Sequence, residues 1–187
     1  SKTPAVFLEW ASATEVTQDL ADNSTVSFSA VLSPTTASTC IVVVANKELD
    51  GIVSGFTKGV TTKVRAMEEM LHTQTGKWLA DGSTTGGYTR IPMYGEKVIS
   101  KITPSMNPIT DINMKRMLAR IDIRNNSVTS NFTVEEVYLA NYNTTGYIAP
   151  AWNTNGQVTE PAPDTPVLPT GSGKMTEEGN AILYSVN

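Results

Sequence analysis

The sequence has little of what most enzymes are built from. In 187 residues there is one cysteine, Cys40, and one histidine, His72. A lone cysteine makes no internal disulfide and a lone histidine makes no two-His metal site, so disulfide scaffolds and most zinc enzymes are excluded. No stretch approaches the ~18 apolar residues that a membrane-spanning helix needs. Positive charge is in short supply too: 14 basic against 18 acidic residues leave a net charge of −4. Nothing global attracts a phosphate backbone, and no nucleic-acid partner is expected. No signal peptide and no initiator Met are in view; the chain opens Ser1-Lys2-Thr3-Pro4, as a processed one would.

Catalytic constellations fail one after another. Glu69 and His72 have E-x-x-H spacing, which on a helix puts both on one side, but di-iron bundles need that motif twice. A Ser-His-Asp triad would need His72 as its base, and no G-x-S-x-G elbow accompanies it. His72 reads instead as a helix residue at the solvent edge. Gly171-Ser172-Gly173-Lys174 departs from a phosphate loop, which requires Gly where Leu168 stands and Ser or Thr where Met175 stands. Gly82-Ser83-Thr84-Thr85-Gly86-Gly87 lacks the dinucleotide spacing and a following helix. The acid pairs Glu68-Glu69, Glu135-Glu136 and Glu177-Glu178 are adjacent in sequence and diverge on a strand or helix, a poor start for a glycosidase. The expectation is no enzyme, no catalytic residue, no cofactor and no metal.

What the chain does have is core and strands. At this length, folding removes roughly 70% of the unfolded chain's accessible surface from water, enough for one domain over residues 1–187. Ala5–Trp10, Thr25–Leu32, Cys40–Ala45, Val98–Thr103, Met117–Arg124, Phe132–Tyr142 and Ala181–Val186 have the length and the β-branched or aromatic content of strands. Seven strands suggest a β-sandwich. In the clearest, Met117, Ala119, Ile121 and Ile123 share an apolar face, while Arg116, Arg120, Asp122 and Arg124 share a wet one. Around Glu135-Glu136 the alternation changes phase, as one extra residue in a bulge would cause. One helix is expected over about residues 57–73, with Val60, Val64, Met67 and Leu71 on its stripe. Residues 150–179 hold five of the ten prolines and read as a long Pro/Gly-rich loop.

Charge is unevenly placed. Residues 90–124 carry Arg90, Lys97, Lys101, Lys115, Arg116, Arg120 and Arg124 against Glu96, Asp111 and Asp122, whereas beyond Arg124 only Lys174 stands against six acids. Without interleaved aromatics the basic run reads as a solvated strand face. Trp10, Trp78 and Trp152 fall on different expected elements, and a binding module would need them to converge.

The order of segments in the middle of the chain carries a resemblance. Arg90-Ile91-Pro92-Met93-Tyr94-Gly95 is followed by Met117-Leu118-Ala119-Arg120-Ile121-Asp122-Ile123, by Phe132 to Tyr142, and by Gly146-Tyr147-Ile148-Ala149-Pro150. Upstream, Cys40 to Ala45 runs as a strand into Asn46. This series, about sixty residues in its main part, resembles the N-terminal domain of the Bacteroidales fimbrillins, the FimA and Mfa-type subunits of type V pili.

The resemblance implies a transthyretin-like β-sandwich, the N-terminal domain of a larger two-domain fimbrillin. It implies an exported lipoprotein, cut by a protease and assembled into cell-surface fimbriae at the outer membrane, contributing to adhesion. Its partners would be other fimbrillin subunits through a donated β-strand, together with host or bacterial surface ligands. Contact with the membrane would come only through a lipid anchor on a precursor segment. Strand donation leaves a sheet edge and an apolar groove unfilled until a neighbour supplies the strand. The alternative expectation is a surface-exposed carbohydrate- or protein-binding β-sandwich module without a pilus role.

Overall fold

The computed structural model describes residues 4–21, 24–73, 90–106, 108–118, 138–139, 143–159 and 181–182. Over these the chain is mainly β. The strands are β1 (Thr14–Gln18), β2 (Val26–Ser29), β3 (Thr39–Ala45), β4 (Leu71–Thr73), β5 (Met93–Ile99), β6 (Lys115–Arg116), β7 (Tyr138–Leu139), β8 (Thr145–Tyr147) and β9 (Ala181–Ile182). Two short helices, α1 (Asp50–Val53) and α2 (Lys63–Glu69), follow β3. Among the described residues every strand pairing is antiparallel, in four sheets: β1-β2, β3-β5-β6, β4-β8 and β7-β9.

The β3-β5-β6 sheet organises the core. β3 reads Thr-Cys-Ile-Val-Val-Val-Ala, a run of β-branched residues suited to a pleated surface. It pairs with β5 without a slip, from Thr39 opposite Ile99 to Ala45 opposite Met93. Opposite residues share a face, so Cys40, Val42 and Val44 lie with Val98, Glu96 and Tyr94. The chain leaves β3 at Asn46 in a left-handed conformation, φ 61°, which asparagine tolerates. The Asn46 amide donates to the Ile91 carbonyl at 2.9 Å and fastens that exit to the strand returning beside it.

Helix α2 lies over the Tyr94 end of this face. Met67 and Tyr94 are essentially out of water and join Leu49, Met70, Ile148 and Ala149 in one buried cluster. Val44, Ile52, Val53, Met117, Trp152 and Val158 pack around it. The β4-β8 ladder runs on into the core through Ile148 N–H, which donates to the Met70 carbonyl at 2.9 Å.

Several local expectations change. The helix expected over 57–73 is the seven residues of α2, with the four-residue α1 before it. Val60 stands outside it and is exposed. The cause is side-chain competition: the Thr61 hydroxyl accepts from Thr57 N–H, and the Thr62 hydroxyl caps the helix by accepting from Arg65 N–H. Leu71 and His72 leave the helix because β8 offers them a strand partner.

Ala5–Trp10 forms a single bridge, Val6 to Thr62, rather than a strand. Its partner is the turn before α2, whose curvature admits only the bonds of Ala5 and Phe7 to Lys63, Thr61 and Gly59. The strand expected at Val98–Thr103 is β5, starting at Met93 and ending at Ile99, while Ile102 bridges to Thr35. The strand expected at Met117–Arg124 is represented by β6, two residues earlier; Met117 packs against the core, and 119–124 lie outside the described residues.

Tyr138–Leu139 and Ala181–Ile182 fall in the expected sixth and seventh strands and pair with each other. The expected bulge at Glu135-Glu136 lies outside the described residues. Of the loop expected at 150–179, residues 150–159 are a structured turn. Trp152 bridges to Val158, and the Asn153 side chain accepts from Asn155 and Gln157 N–H. Residues 160–179 lie outside the description.

Candidate functional site

The groups with reactive chemistry stand on separate elements. His72 stands in β4 opposite Gly146, so the E-x-x-H spacing does not share one helix face. Glu69 pairs instead with Arg65, one turn back, which also reaches Glu68 at 3.8 Å. Cys40 is half-buried on β3, and burial pushes its thiol above the usual range against a smaller downward pull from Lys63. Among the described residues no group of three or more His, Cys, Asp or Glu is placed to hold a metal ion. The glycine loops at 82–87 and 171–174, the acid pairs at 135–136 and 177–178, and Trp78 lie outside the described residues. Trp152 is packed edge-on against Tyr147, with ring centres 4.9 Å apart, and Trp10 is 44% exposed.

One polar cluster is built into the sheet–helix junction. The Tyr94 hydroxyl donates to Glu96 Oε2 at 2.6 Å, and Lys63 Nζ sits 2.8 Å from the same oxygen. Lys63 opens α2 and Glu96 lies on β5, so this charge-assisted pair ties helix to sheet. Burial, and then the adjacent carboxylate, drive the Tyr94 phenol far above its ordinary range.

That shift predicts a pH dependence. The folded-state value is raised, so the stabilisation is fully present below the unfolded value of about 10 and is lost as pH rises beyond it. Above about pH 10 stability should fall by up to about 1.4 kcal/mol per pH unit from this group. Cys40, shifted upward as well, adds to the loss from a lower pH. Urea titrations in alkaline buffers check it: Tyr94→Phe should flatten the slope above about pH 10, and Cys40→Ser should leave that part in place.

The surface that lacks a structural explanation is the β1-β2 hairpin. Thr17 faces Ser27 and Gln18 faces Val26 in register, with a shift between Thr14 and Thr17. Glu15, in that irregular stretch at φ 52°, accepts from the Ser29 hydroxyl at 2.8 Å. Glu15, Thr17, Ser27 and Ser29 therefore define a polar face, and alternation sends Val16, Val26 and Phe28 to the other. Those three side chains are 63%, 52% and 41% exposed. Leu8, Trp10, Leu20 and Val31, on the flanking segments, are exposed as well.

The hairpin is thus amphipathic with its apolar side in water, and no third strand pairs with either of its strands among the described residues. Single exposed apolar residues are ordinary, but a contiguous set rimmed by polar groups marks an interaction surface. Charge adds to its character: residues 3–46 contain Glu9, Glu15, Asp19 and Asp22 and no lysine or arginine. Glu9 accepts from both the N–H and the hydroxyl of Ser33, which hold its carboxyl below the usual range.

Sequence reasoning found β2 and missed β1. The signal was the alternation in Thr14-Glu15-Val16-Thr17-Gln18 followed by turn-forming Asp22-Asn23-Ser24, weak because only one of the five residues is hydrophobic. Comparison with family models, curated proteins and solved structures finds no significant match to this chain.

Proposed function

We propose that the chain is a structural or accessory subunit of cell-surface fimbriae, assembled by exchange of a β-strand and contributing to adhesion. The observation that supports it is the amphipathic β1-β2 hairpin, with exposed Val16, Val26 and Phe28 beside backbone edges that no third described strand fills. An edge next to exposed apolar side chains is the half-site that strand addition completes. In this reading the described sheets belong to a transthyretin-like seven-stranded β-sandwich, the N-terminal domain of a two-domain fimbrillin carried to the outer membrane by a lipidated precursor. Partners are other fimbrillin subunits, and the work is mechanical rather than catalytic.

Exposed Trp10 and Phe28 favour a second reading, a surface carbohydrate- or protein-binding module without a pilus role. One experiment separates the two. Cells producing the full-length protein are surface-labelled, and their envelope proteins are run without boiling. A ladder of polymers containing this chain is the expected result. A single monomer band on cells that display the protein would reject the fimbrial reading and leave the binding module.

A further inference from the structure

The turn between Trp152 and Val158 contains Asn155-Gly156, the one Asn-Gly pair in the sequence. Such a pair carries its own reaction. The main-chain nitrogen after an asparagine can attack the side-chain carbonyl, and glycine puts no side chain in the way. The Asn155 side chain is exposed, and its carboxamide forms no hydrogen bond among the described residues.

Gly156 is the restrained partner. It is buried at φ 72°, and its N–H donates to the Asn153 carbonyl at 2.9 Å. The Asn153 side chain holds the same turn, as asparagine does when it bonds the backbone just ahead of it. Its Oδ1 accepts from Asn155 N–H at 2.9 Å and from Gln157 N–H at 3.1 Å, and its amide donates to Gln157 Oε1 at 3.1 Å. A Cβ on Gly156 would lie 3.2 Å from Val64 Cγ2 and 3.5 Å from Lys63 Cβ, so this backbone is seated on the first turn of α2.

We propose that Asn155 is a site of spontaneous deamidation in the folded protein, with Asn153 as the clamp that sets its rate. Gly156 N–H gives its proton to solvent hydroxide, and the nitrogen bonds to Asn155 Cγ. The side-chain nitrogen takes a proton from water and leaves as ammonia. Water then opens the cyclic imide at either of its two carbonyl carbons, leaving aspartate or isoaspartate at position 155. The step needs Gly156 N–H released from Asn153, so local opening of the turn limits it. Both products add a negative charge, and isoaspartate also inserts a methylene into the main chain beside Gly156. That methylene moves Gly156 off its close seat on Val64 and loosens the turn from α2. The site is independent of the fimbrial reading.

The test is to incubate the 187-residue chain in neutral and in mildly alkaline buffer, folded and in urea. The chymotryptic peptide that begins after Trp152 is followed by mass spectrometry with fragmentation. The expected result is an amide-to-acid mass gain at Asn155, as aspartate and isoaspartate together, faster in alkali and slower in the folded chain than in urea. Asn153 in the same peptide is the internal control and should keep its amide, because β-branched Thr154 crowds the attacking nitrogen. Asn153→Ala, verified as folded by circular dichroism, should move the rate at Asn155 toward the urea value. The isoaspartate fraction should melt at a lower temperature than the parent, whereas Asn155→Asp, which has the charge without the methylene, should melt as the parent does.

Asn155 keeping its amide in the folded parent overturns the site, whatever happens in urea. Equal gains at Asn153 and Asn155 overturn the role of Gly156. A folded Asn153→Ala variant that reacts no faster than the parent overturns the clamp, and an isoaspartate fraction with the parent's melting temperature overturns the loosening from α2.

Discussion

Glu96→Leu should destabilise the protein by about 3 kcal/mol, one of the two largest effects expected from a single substitution. Removing one partner of a buried charge pair costs roughly 3–5 kcal/mol when the other charge is left uncompensated. Lys63 and Glu96 retain 13% and 21% of their side-chain exposure, which places the loss at the low end. The Tyr94 hydroxyl would lose its acceptor as well, in a residue 1% exposed, and an orphaned buried hydroxyl costs about 1–3 kcal/mol by itself. Glu96→Gln should cost less, because its amide oxygen still accepts from Tyr94. Lys63→Met combined with Glu96→Leu should recover much of the loss, since no unpaired charge remains. Urea unfolding of the four proteins measures it, and a double variant no better than Glu96→Leu would mean that the pair is not coupled.

Gly95→Val should be at least as damaging, for steric reasons. Gly95 stands mid-strand in β5, opposite Val43, where glycine ordinarily weakens a sheet. A Cβ there would lie 2.7 Å from Met114 Sδ, 2.9 Å from the Asn113 carbonyl oxygen and 2.9 Å from Ile112 Cγ2. The methionine could swing aside, but the carbonyl belongs to the backbone. Overpacking of this kind costs roughly 1–3 kcal/mol when side chains alone must move, and more when backbone must. Gly95→Ala should already lower the melting temperature, and Gly95→Val should lower it further. Adding Met114→Ala to Gly95→Ala should give only partial rescue, because the Asn113 oxygen remains. Full rescue would show that the close approach of 112–114 is side-chain packing only.

These two positions also mark where sequence reading stops. Pro92 immediately precedes β5 and Gly95 stands within it, and both residue types argue against a strand. Gly95 is there because residues 112–114 cross directly over it, a long-range fact with no local signature. The helix before it is shorter than its spacing predicts for a related reason. Val60, Val64, Met67 and Leu71 keep helical spacing whether or not they are all helical, and the hydroxyls of Thr61 and Thr62 cut the stripe at its start. Cys40–Ala45 was read within one residue of β3, because continuous β-branched residues specify a strand with little help from their surroundings.

The sequence by itself determined a mainly β chain, with a strand at 40–45 and strand positions at 26–29, 138–139 and 181–182. It also determined the scarcity of sulfur and imidazole chemistry and the concentration of positive charge after residue 90. All of these rest on local residue preferences or on simple counting. Tertiary structure decided which strands pair, and so put Glu96 between Lys63 and Tyr94, drew His72 out of a helix into β4, and left the β1-β2 hairpin, its apolar face included, in water. The physical reason is the same in each case. A β-strand's partner and the burial of its two faces depend on residues distant in sequence, and no local preference encodes where the chain returns.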